Sequence, residues 1–207
     1  SAASDVYKRQ QITGAALWQS QYLSQGPEGK SQKYIKNSCV PEIYAGIDYK
    51  HKGLLIGAGI EMVSLTPRTQ ATVEDKIYKV SERITSLSYE VHMKYNSEKW
   101  LVAAKSVLGS NLTQTSMLGG YGIKSIDPRT GEQEYSPNRN SSSWINIVYG
   151  KTWKPAIFFG YMKNLGTSDA VTNMYGTGTN VDQLLSGTAE LTYNLSLIHI
   201  SEPTRQA

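Results

Sequence analysis

Apolar and polar residues alternate along Pro41–Thr66, PEIYAGIDYKHKGLLIGAGIEMVSLT. In its first half one set of alternate positions is apolar or aromatic: Ile43, Ala45, Ile47 and Tyr49. The intervening set carries the polar groups: Glu42, Tyr44, Asp48 and Lys50. Successive side chains of a strand point to opposite faces, so this period of two predicts a β-strand. The polar triplet His51–Gly53, in which Gly53 is free to take a positive φ, predicts a tight turn, and Leu54–Met62 repeats the alternation as a second strand.

The same alternation recurs along the chain and predicts further strands: Gln11–Gln25, Ile84–Tyr95, Trp100–Leu108, Ser143–Gly150, Pro155–Asn164 and Gln183–Asn194. Within the first of these, Ala15–Leu17 would also suit a helix. Met117–Ile126 is strand-like as well, but it lies inside a long polar connection. We therefore predict an all-β fold with about eight antiparallel strands.

The predicted connections alternate between short and long. The short turns are His51–Gly53, Asn96–Lys99 and Lys151–Lys154. The long loops are Gly26–Val40, Pro67–Ser81, Gly109–Asn140 and Gly166–Val181. Short turns at one rim and long loops at the other are typical of a transmembrane β-barrel with periplasmic turns and extracellular loops, and strands of about 9–12 residues suit tilted membrane-spanning strands. A soluble sandwich, apolar inside and polar outside, is the alternative reading of each hairpin.

Aromatic residues lie within a residue or two of the short turns: Tyr49, Tyr95, Trp100, Tyr149 and Trp153. Amphipathic rings at the same end of several strands are typical of the aromatic belt at a membrane interface. The simpler explanation is that Tyr and Trp favour strands in general. Recurrence at one rim favours the belt.

Composition excludes several other classes of protein. A mean hydropathy of -0.40 argues against a helical membrane bundle, and no run approaches the roughly 18 apolar residues that a spanning helix needs. The net charge of +4 is small and its basic residues are scattered, so no nucleic-acid partner is predicted. A single cysteine, Cys39, cannot form an internal disulfide or a cysteine metal cluster.

The two ends differ from the middle. Residues Ser1–Gln10 (SAASDVYKRQ) and Ser196–Ala207 (SLIHISEPTRQA) resemble translated sequencing-adapter read-through. We expect both to be artefactual tails, so that His199 has no functional role. Residues 11–195 are then expected to be an internal fragment of a longer protein.

Three segments carry a resemblance to a known family: Met117–Glu134 (MLGGYGIKSIDPRTGEQE), Trp144–Trp153 (WINIVYGKTW) and Phe158–Asp169 (FFGYMKNLGTSD). In order and spacing they resemble porin-type outer-membrane β-barrels of Bacteroidota. The resemblance implies a barrel of ~16 strands, which needs strands beyond the eight counted here. It implies the outer membrane of a Gram-negative bacterium, contact with outer-membrane lipid, passage of small hydrophilic solutes and, by analogy alone, a homo-oligomer such as a trimer.

If the apolar strand faces meet lipid, the charged residues opposite them line a wet interior. The pore-lining candidates are Asp48, Lys50, Glu61, Glu90, His92, Lys94, Lys105 and Glu190. Glu61, Glu90 and Lys105 fall nearest to mid-strand, where mixed charges tune ion selectivity. On the alternative reading, these residues form a solvated sheet face. By its length, Gly109–Asn140 is the loop expected to fold into the barrel, unless it points outward as surface decoration or a receptor.

Enzymatic motifs are poor. Neither His51 nor His92 lies in HExxH or GxSxG, and GGYGIKS at Gly119–Ser125 lacks the spacing of a phosphate loop. We predict no catalytic residue, cofactor or metal. The leading hypothesis is a porin-like channel for passive diffusion; the others are a non-conducting barrel whose loops serve adhesion or recognition, a barrel-embedded hydrolase and a soluble binding module. A lumen packed with apolar residues would count against the pore, and His92 bound to a carboxylate and near a serine would favour the hydrolase.

Overall fold

The computed structural model describes residues 9–19 and 23–194. Most of the expected N-terminal tail (residues 1–8) and all of Ser196–Ala207 therefore lie outside the described residues, as does His199. Gln10, the last residue of the expected N-terminal tail, begins the first strand and pairs with Tyr49.

Within these ranges the chain forms twelve strands, one α-helix and one 3-10 helix. The first elements are β1 (Gln10–Leu17), α1 (Lys33–Ser38), β2 (Glu42–His51), β3 (Leu54–Leu65), β4 (Gln70–Val73), β5 (Lys76–Lys79) and β6 (Ile84–Asn96). They are followed by β7 (Trp100–Ser110), the 3-10 helix η1 (Leu112–Thr115), β8 (Gly119–Ile126), β9 (Gln133–Tyr149), β10 (Trp153–Thr167), β11 (Met174–Thr177) and β12 (Gln183–Tyr193). The all-β prediction is confirmed.

The main sheet is antiparallel throughout, in the order β1-β2-β3-β6-β7-β9-β10-β12. These eight strands match the predicted number, and β8, which pairs with β9, and β11, which pairs with β8, bring the sheet to ten strands. Across the described ranges, β1 and β12 are the two edges and do not pair with each other, so the sheet is open. An open sheet of this kind is compatible with part of a barrel.

The three turns at one end of the strands, here called the short-turn end, are short. Residues 52–53 join β2 to β3, residues 97–99 join β6 to β7, and residues 150–152 join β9 to β10. Lys52 and Gly53 have φ of 44° and 82°, which confirms the positive φ expected at Gly53 and suits a tight hairpin turn.

The four long connections are more structured than predicted. The loop over Gly26–Val40 contains α1, Pro67–Ser81 contains the β4–β5 hairpin, and Gly166–Val181 contains β11. Gly109–Asn140 contains η1, β8 and the first half of β9, so the strand suggested over Met117–Ile126 is present from Gly119. Elements of four to six residues are too short to show a periodic hydrophobic pattern, which is why the sequence failed to reveal α1, β4, β5 and β11.

The β8–β9 turn is fixed by its own side chains. The backbone N–H of Arg129 and the hydroxyl of Thr130 donate to the Asp127 carboxylate and hold the pKa of that group below its usual value. Gly131, at φ 69°, completes the turn.

The main sheet is polarised in the opposite sense to a soluble sandwich. On one face, here called the apolar face, large side chains are exposed: Val91 is 57% and Ile47 52% accessible. On the other, the polar face, the charged side chains near the middle of the sheet are partly sheltered, and that of Glu90 is only 13% accessible, whereas Lys50, Lys94 and Glu190 are exposed. In the part of the chain that the structure describes, no helix is long and apolar enough to cross a bilayer.

The hydrophobic core lies at the long-loop end, on the polar face. Val63, Leu65 and Ile84 share the register positions of that face and are buried beneath α1 and β8. Tyr34 and Ile35 of α1 are fully buried against them. This end of the polar face is therefore covered and apolar.

Candidate functional site

All eight predicted pore-lining residues lie on one face of the main sheet. Residues directly paired across antiparallel strands point to the same side. Asp48 pairs with Gly57, which pairs with His92, and His92 pairs with Lys105. The remaining five have the same register parity: Lys50, Glu61, Glu90, Lys94 and Glu190. Their role in a pore stays a prediction, but their common face is a property of the fold.

Four of these residues join Tyr44 in one polar network near the middle of the sheet. The Tyr44 hydroxyl donates to Glu90 Oε1 at 2.7 Å, and Lys105 Nζ pairs with Glu90 Oε2. His92 Nε2 lies 2.9 Å from Asp48 Oδ1, while His92 Nδ1 lies 3.6 Å from Glu90 Oε1. The network, here called the Glu90 network, joins side chains of β2, β6 and β7 across the intervening strand β3.

Partial burial strengthens the electrostatics of the Glu90 network. The side chain of Glu90 is 13% accessible, and its neighbours Asp48 and His92 are about a quarter accessible. Charges sheltered in this way are screened less by salt than charges on an open surface. The network holds two carboxylates, Asp48 and Glu90, and one ammonium group, Lys105.

Glycines make room for the ring of Tyr44. A Cβ built at Gly46 or Gly59 would lie 2.5 Å from the Tyr44 hydroxyl oxygen. Neither glycine has a positive φ, so the reason for glycine here is close approach, not backbone conformation. The ring lies over these glycines, and its hydroxyl reaches Glu90 on β6.

Replacing Gly59 by alanine is expected to lower the free energy of unfolding by about 1–3 kcal/mol, because the new methyl overlaps the Tyr44 ring. Gly14→Ala is the matched control, since nothing lies within 4 Å of a Cβ at Gly14. Urea unfolding measures both variants. If Tyr44→Ala does not relieve the cost of Gly59→Ala in the double variant, the steric explanation is wrong.

A cavity of about 250 Å³ lies between the Glu90 network and η1. The polar face contributes Glu42, Tyr44, Glu61, Glu90 and Lys105 to its wall. The other side is formed by the segment around η1, including Leu112, Thr115 and Met117. Leu112 is buried, so this part of the predicted Gly109–Asn140 loop lies against the polar face.

The remaining predicted residues lie apart from the Glu90 network. Lys50 and Lys94 lie near the short-turn end, where Lys50 Nζ donates to Gln11 Oε1 at 3.2 Å. Glu190 lies on the edge strand β12 and accepts a hydrogen bond from Thr192 at 2.9 Å. Glu61 lines the cavity beside the network. The eight residues therefore divide into a central group with Glu61 beside it, a pair at the short-turn end formed by Lys50 and Lys94, and the separate Glu190 on β12.

The five predicted interface aromatics all lie on the apolar face at the short-turn end: Tyr49, Tyr95, Trp100, Tyr149 and Trp153. Trp100 packs on Tyr149 with ring centroids 4.5 Å apart. Trp153 packs in the same way on Tyr193, which sequence reasoning had not assigned to this group. The sequence signal that could have placed Tyr193 in this group is its position at the end of a strand with alternating apolar and polar residues.

His92 meets the carboxylate condition set for a hydrolase. Both of its ring nitrogens face carboxylates, those of Asp48 and Glu90. Among the hydrogen bonds of residues 9–19 and 23–194, no serine hydroxyl bonds to His92. In the same residues, no group of three or more His, Cys, Asp or Glu side chains has the geometry to hold a metal ion.

Tyr44 is the one member of the Glu90 network missing from the predicted site. Its position on the polar face follows from the alternation in β2, but its partner Glu90 is 46 residues away. Only the pairing of β2, β3 and β6 brings the two together.

Comparison with known proteins adds no family to these observations: no family model, no curated protein and no solved structure matches the chain.

Proposed function

We propose that this chain forms part of an outer-membrane β-barrel channel of a Gram-negative bacterium, with its apolar face toward lipid and its polar face toward a water-filled interior. The proposed channel passes small hydrophilic solutes by passive diffusion. Further strands, paired with the edges β1 and β12, would close the barrel. No covalent chemistry and no cofactor enter this mechanism.

The observation that carries the proposal is the inverted polarity of the sheet. Large apolar side chains are exposed over several adjacent strands, whereas the charged side chains at the middle of the opposite face are partly sheltered. Exposed apolar patches larger than a few hundred Å² are rare on soluble monomers. A lipid-facing surface accounts for such a patch. The aromatic rows, formed by Tyr49, Tyr95, Trp100, Tyr149 and Trp153 at the short-turn end, suit the boundary of the lipid.

The Glu90 network and its cavity would form a selective part of the path. The side chains around the cavity of about 250 Å³ present both positive and negative charges to a passing ion. The excess of carboxylates among them favours cations there. The η1 segment narrows the same region.

A second candidate is a non-conducting barrel whose long loops serve adhesion or recognition. The packed apolar core at the long-loop end favours it, because Tyr34, Ile35 and Tyr121 fill the polar face there. The same core counts against a wide pore. The two candidates share the membrane fold and differ in conduction.

Single-channel recording in a planar bilayer, with the protein of the complete gene, separates the two candidates. Stepwise, long-lived conductance supports the channel. Protein that inserts in folded form and conducts nothing overturns it and favours the surface barrel. Protein that stays in solution as a folded monomer overturns both.

Removing the cation of the Glu90 network is expected to raise cation selectivity. Lys105→Gln removes the ammonium group that pairs with the Glu90 carboxylate and leaves the second carboxylate of the network, Asp48, in place. A unit charge about 4 Å away in water is worth ~1 kcal/mol, so the cation-to-anion permeability ratio should rise about fivefold. Reversal potentials in a salt gradient measure this ratio. Lys79→Gln, on β5, is the control and should leave the ratio unchanged.

A further inference from the structure

The short-turn end of the sheet is strongly basic. Lysines occupy the turns or the strand positions beside them: Lys50, Lys52, Lys94, Lys99, Lys151 and Lys154. Within the three turns the one carboxylate is Glu98, and it pairs with Lys151. Neither the Glu90 network nor the aromatic rows account for this excess of positive charge.

Three of these lysines line one groove of about 380 Å³, together with His51, Leu55 and Asn96. We name it the lysine groove, after Lys50, Lys52 and Lys94. Its wall contains no carboxylate among the described residues. In the same part of the chain, none of the three ammonium groups forms an ion pair, although Lys50 donates to the neutral amide of Gln11.

The strand register explains why the three lysines converge. Leu55 pairs with Lys50 on one side and with Lys94 on the other, so the two lysines flank it on the polar face. Strands lie about 4.8 Å apart, which puts the two Cα atoms roughly 10 Å from each other. Their long side chains can therefore contact one anion above Leu55, and Lys52 reaches the same groove from the turn.

We propose that the lysine groove binds the phosphate group of a free anionic solute. Three unpaired ammonium groups repel one another, and a phosphate of two negative charges relieves that repulsion while accepting their hydrogen bonds. The volume of the groove is at the lower end of the range for small-molecule pockets, about 300–1,000 Å³.

A lipid headgroup supplies the same phosphate chemistry, but the position of the groove argues against it. Lys50 and Lys94 lie on the polar face, whereas the aromatic rows that mark the lipid boundary lie on the apolar face. A dissolved anion reaches the polar face without crossing lipid. The choice of a free solute over a lipid headgroup rests on the proposed orientation of the sheet in the membrane, whereas phosphate binding itself is measurable in a protein that does not conduct.

The test is calorimetric titration of the complete folded protein in neutral detergent with inorganic phosphate, at low ionic strength. The groove variant is K50Q/K52Q/K94Q. The control variant, K30Q/K76Q/K79Q, removes the same charge from exposed lysines beyond the opposite end. At about fivefold per lysine, the groove variant should bind phosphate roughly a hundredfold more weakly, while the control should match the parent protein.

Equal weakening in both variants would show a general effect of net charge and overturn the site, as would unchanged binding by the groove variant. A second titration uses phosphatidylcholine vesicles with and without phosphatidylglycerol. If the groove variant loses binding to the anionic vesicles and the parent protein binds no inorganic phosphate, the ligand is a lipid headgroup and the assignment to a free solute is wrong. Loss of conductance alone bears on the proposed channel and not on this site.

Discussion

Val91→Lys should lower the free energy of unfolding of the membrane-inserted protein by about 2–4 kcal/mol. Val91 lies near the middle of β6 on the apolar face, and 57% of its surface is exposed. If that face meets hydrocarbon, the new ammonium group must either be buried in lipid or extend along the strand to the membrane interface. On a soluble surface the same substitution would change stability by no more than about 0.5 kcal/mol.

Urea unfolding from phospholipid vesicles measures this difference. Asn146→Lys is the matched control: it adds the same side chain to the polar face, where Asn146 pairs with Ala103 and Phe158. The control should lose much less stability than Val91→Lys. Equal stability of Val91→Lys and the parent protein would mean that this face does not meet lipid, and the membrane assignment would fail.

Ile35→Ala should cost about 2–5 kcal/mol of the stability of the covered long-loop end, because Ile35 is fully buried and the substitution leaves a cavity. Ile35 packs in the cluster that includes Leu65 and Tyr121. Ile77→Ala is the control with the same chemistry, since Ile77 is 70% exposed on β5. The control should change stability by about 0.5 kcal/mol or less.

Amide hydrogen exchange reads out the result locally. In Ile35→Ala, the amides of α1 and of the backbone pair Thr66–Tyr34 should exchange faster, with β7 and β10 unchanged. If exchange rises equally over the whole sheet, the covered end is not a separate unit. Single-channel recording of the same variant shows whether this end limits conduction. Higher conductance than in the parent protein would mean that the covered end is a constriction. Absence of conductance in both proteins would favour the surface barrel.

The strand alternation was sufficient to predict the main sheet, because a strand of ten residues gives five chances for each face to repeat. The face that carries Asp48, Glu90 and Lys105 follows from that period of two without knowledge of any partner. The short turns were equally readable, since Gly53 marks a turn that needs a positive φ. The fold class, the eight long strands of the main sheet and the common face of the candidate residues could all be predicted from the sequence, whereas the short strands β4, β5 and β11 could not.

The partners within that face could not be predicted. The hydrogen bond from Tyr44 to Glu90 and the contact of His92 with Asp48 join residues more than 40 positions apart. They depend on the register between β2, β3 and β6, and a shift of two residues would keep every side chain on its face while changing every partner. The turn lengths restrict the register, but they do not state which charges meet.

Which side chains share a face follows from the order of residues alone, because the pleat of a strand alternates them regardless of what surrounds it. What covers that face depends on how distant parts of the chain pack together. The burial of Tyr34 and Ile35, the position of η1 beside Glu61 and the convergence of Lys50 with Lys94 all depend on segments distant along the chain. Short elements such as α1 and η1 have little stability of their own, so contacts with the sheet select their place, and a local pattern carries no record of those contacts.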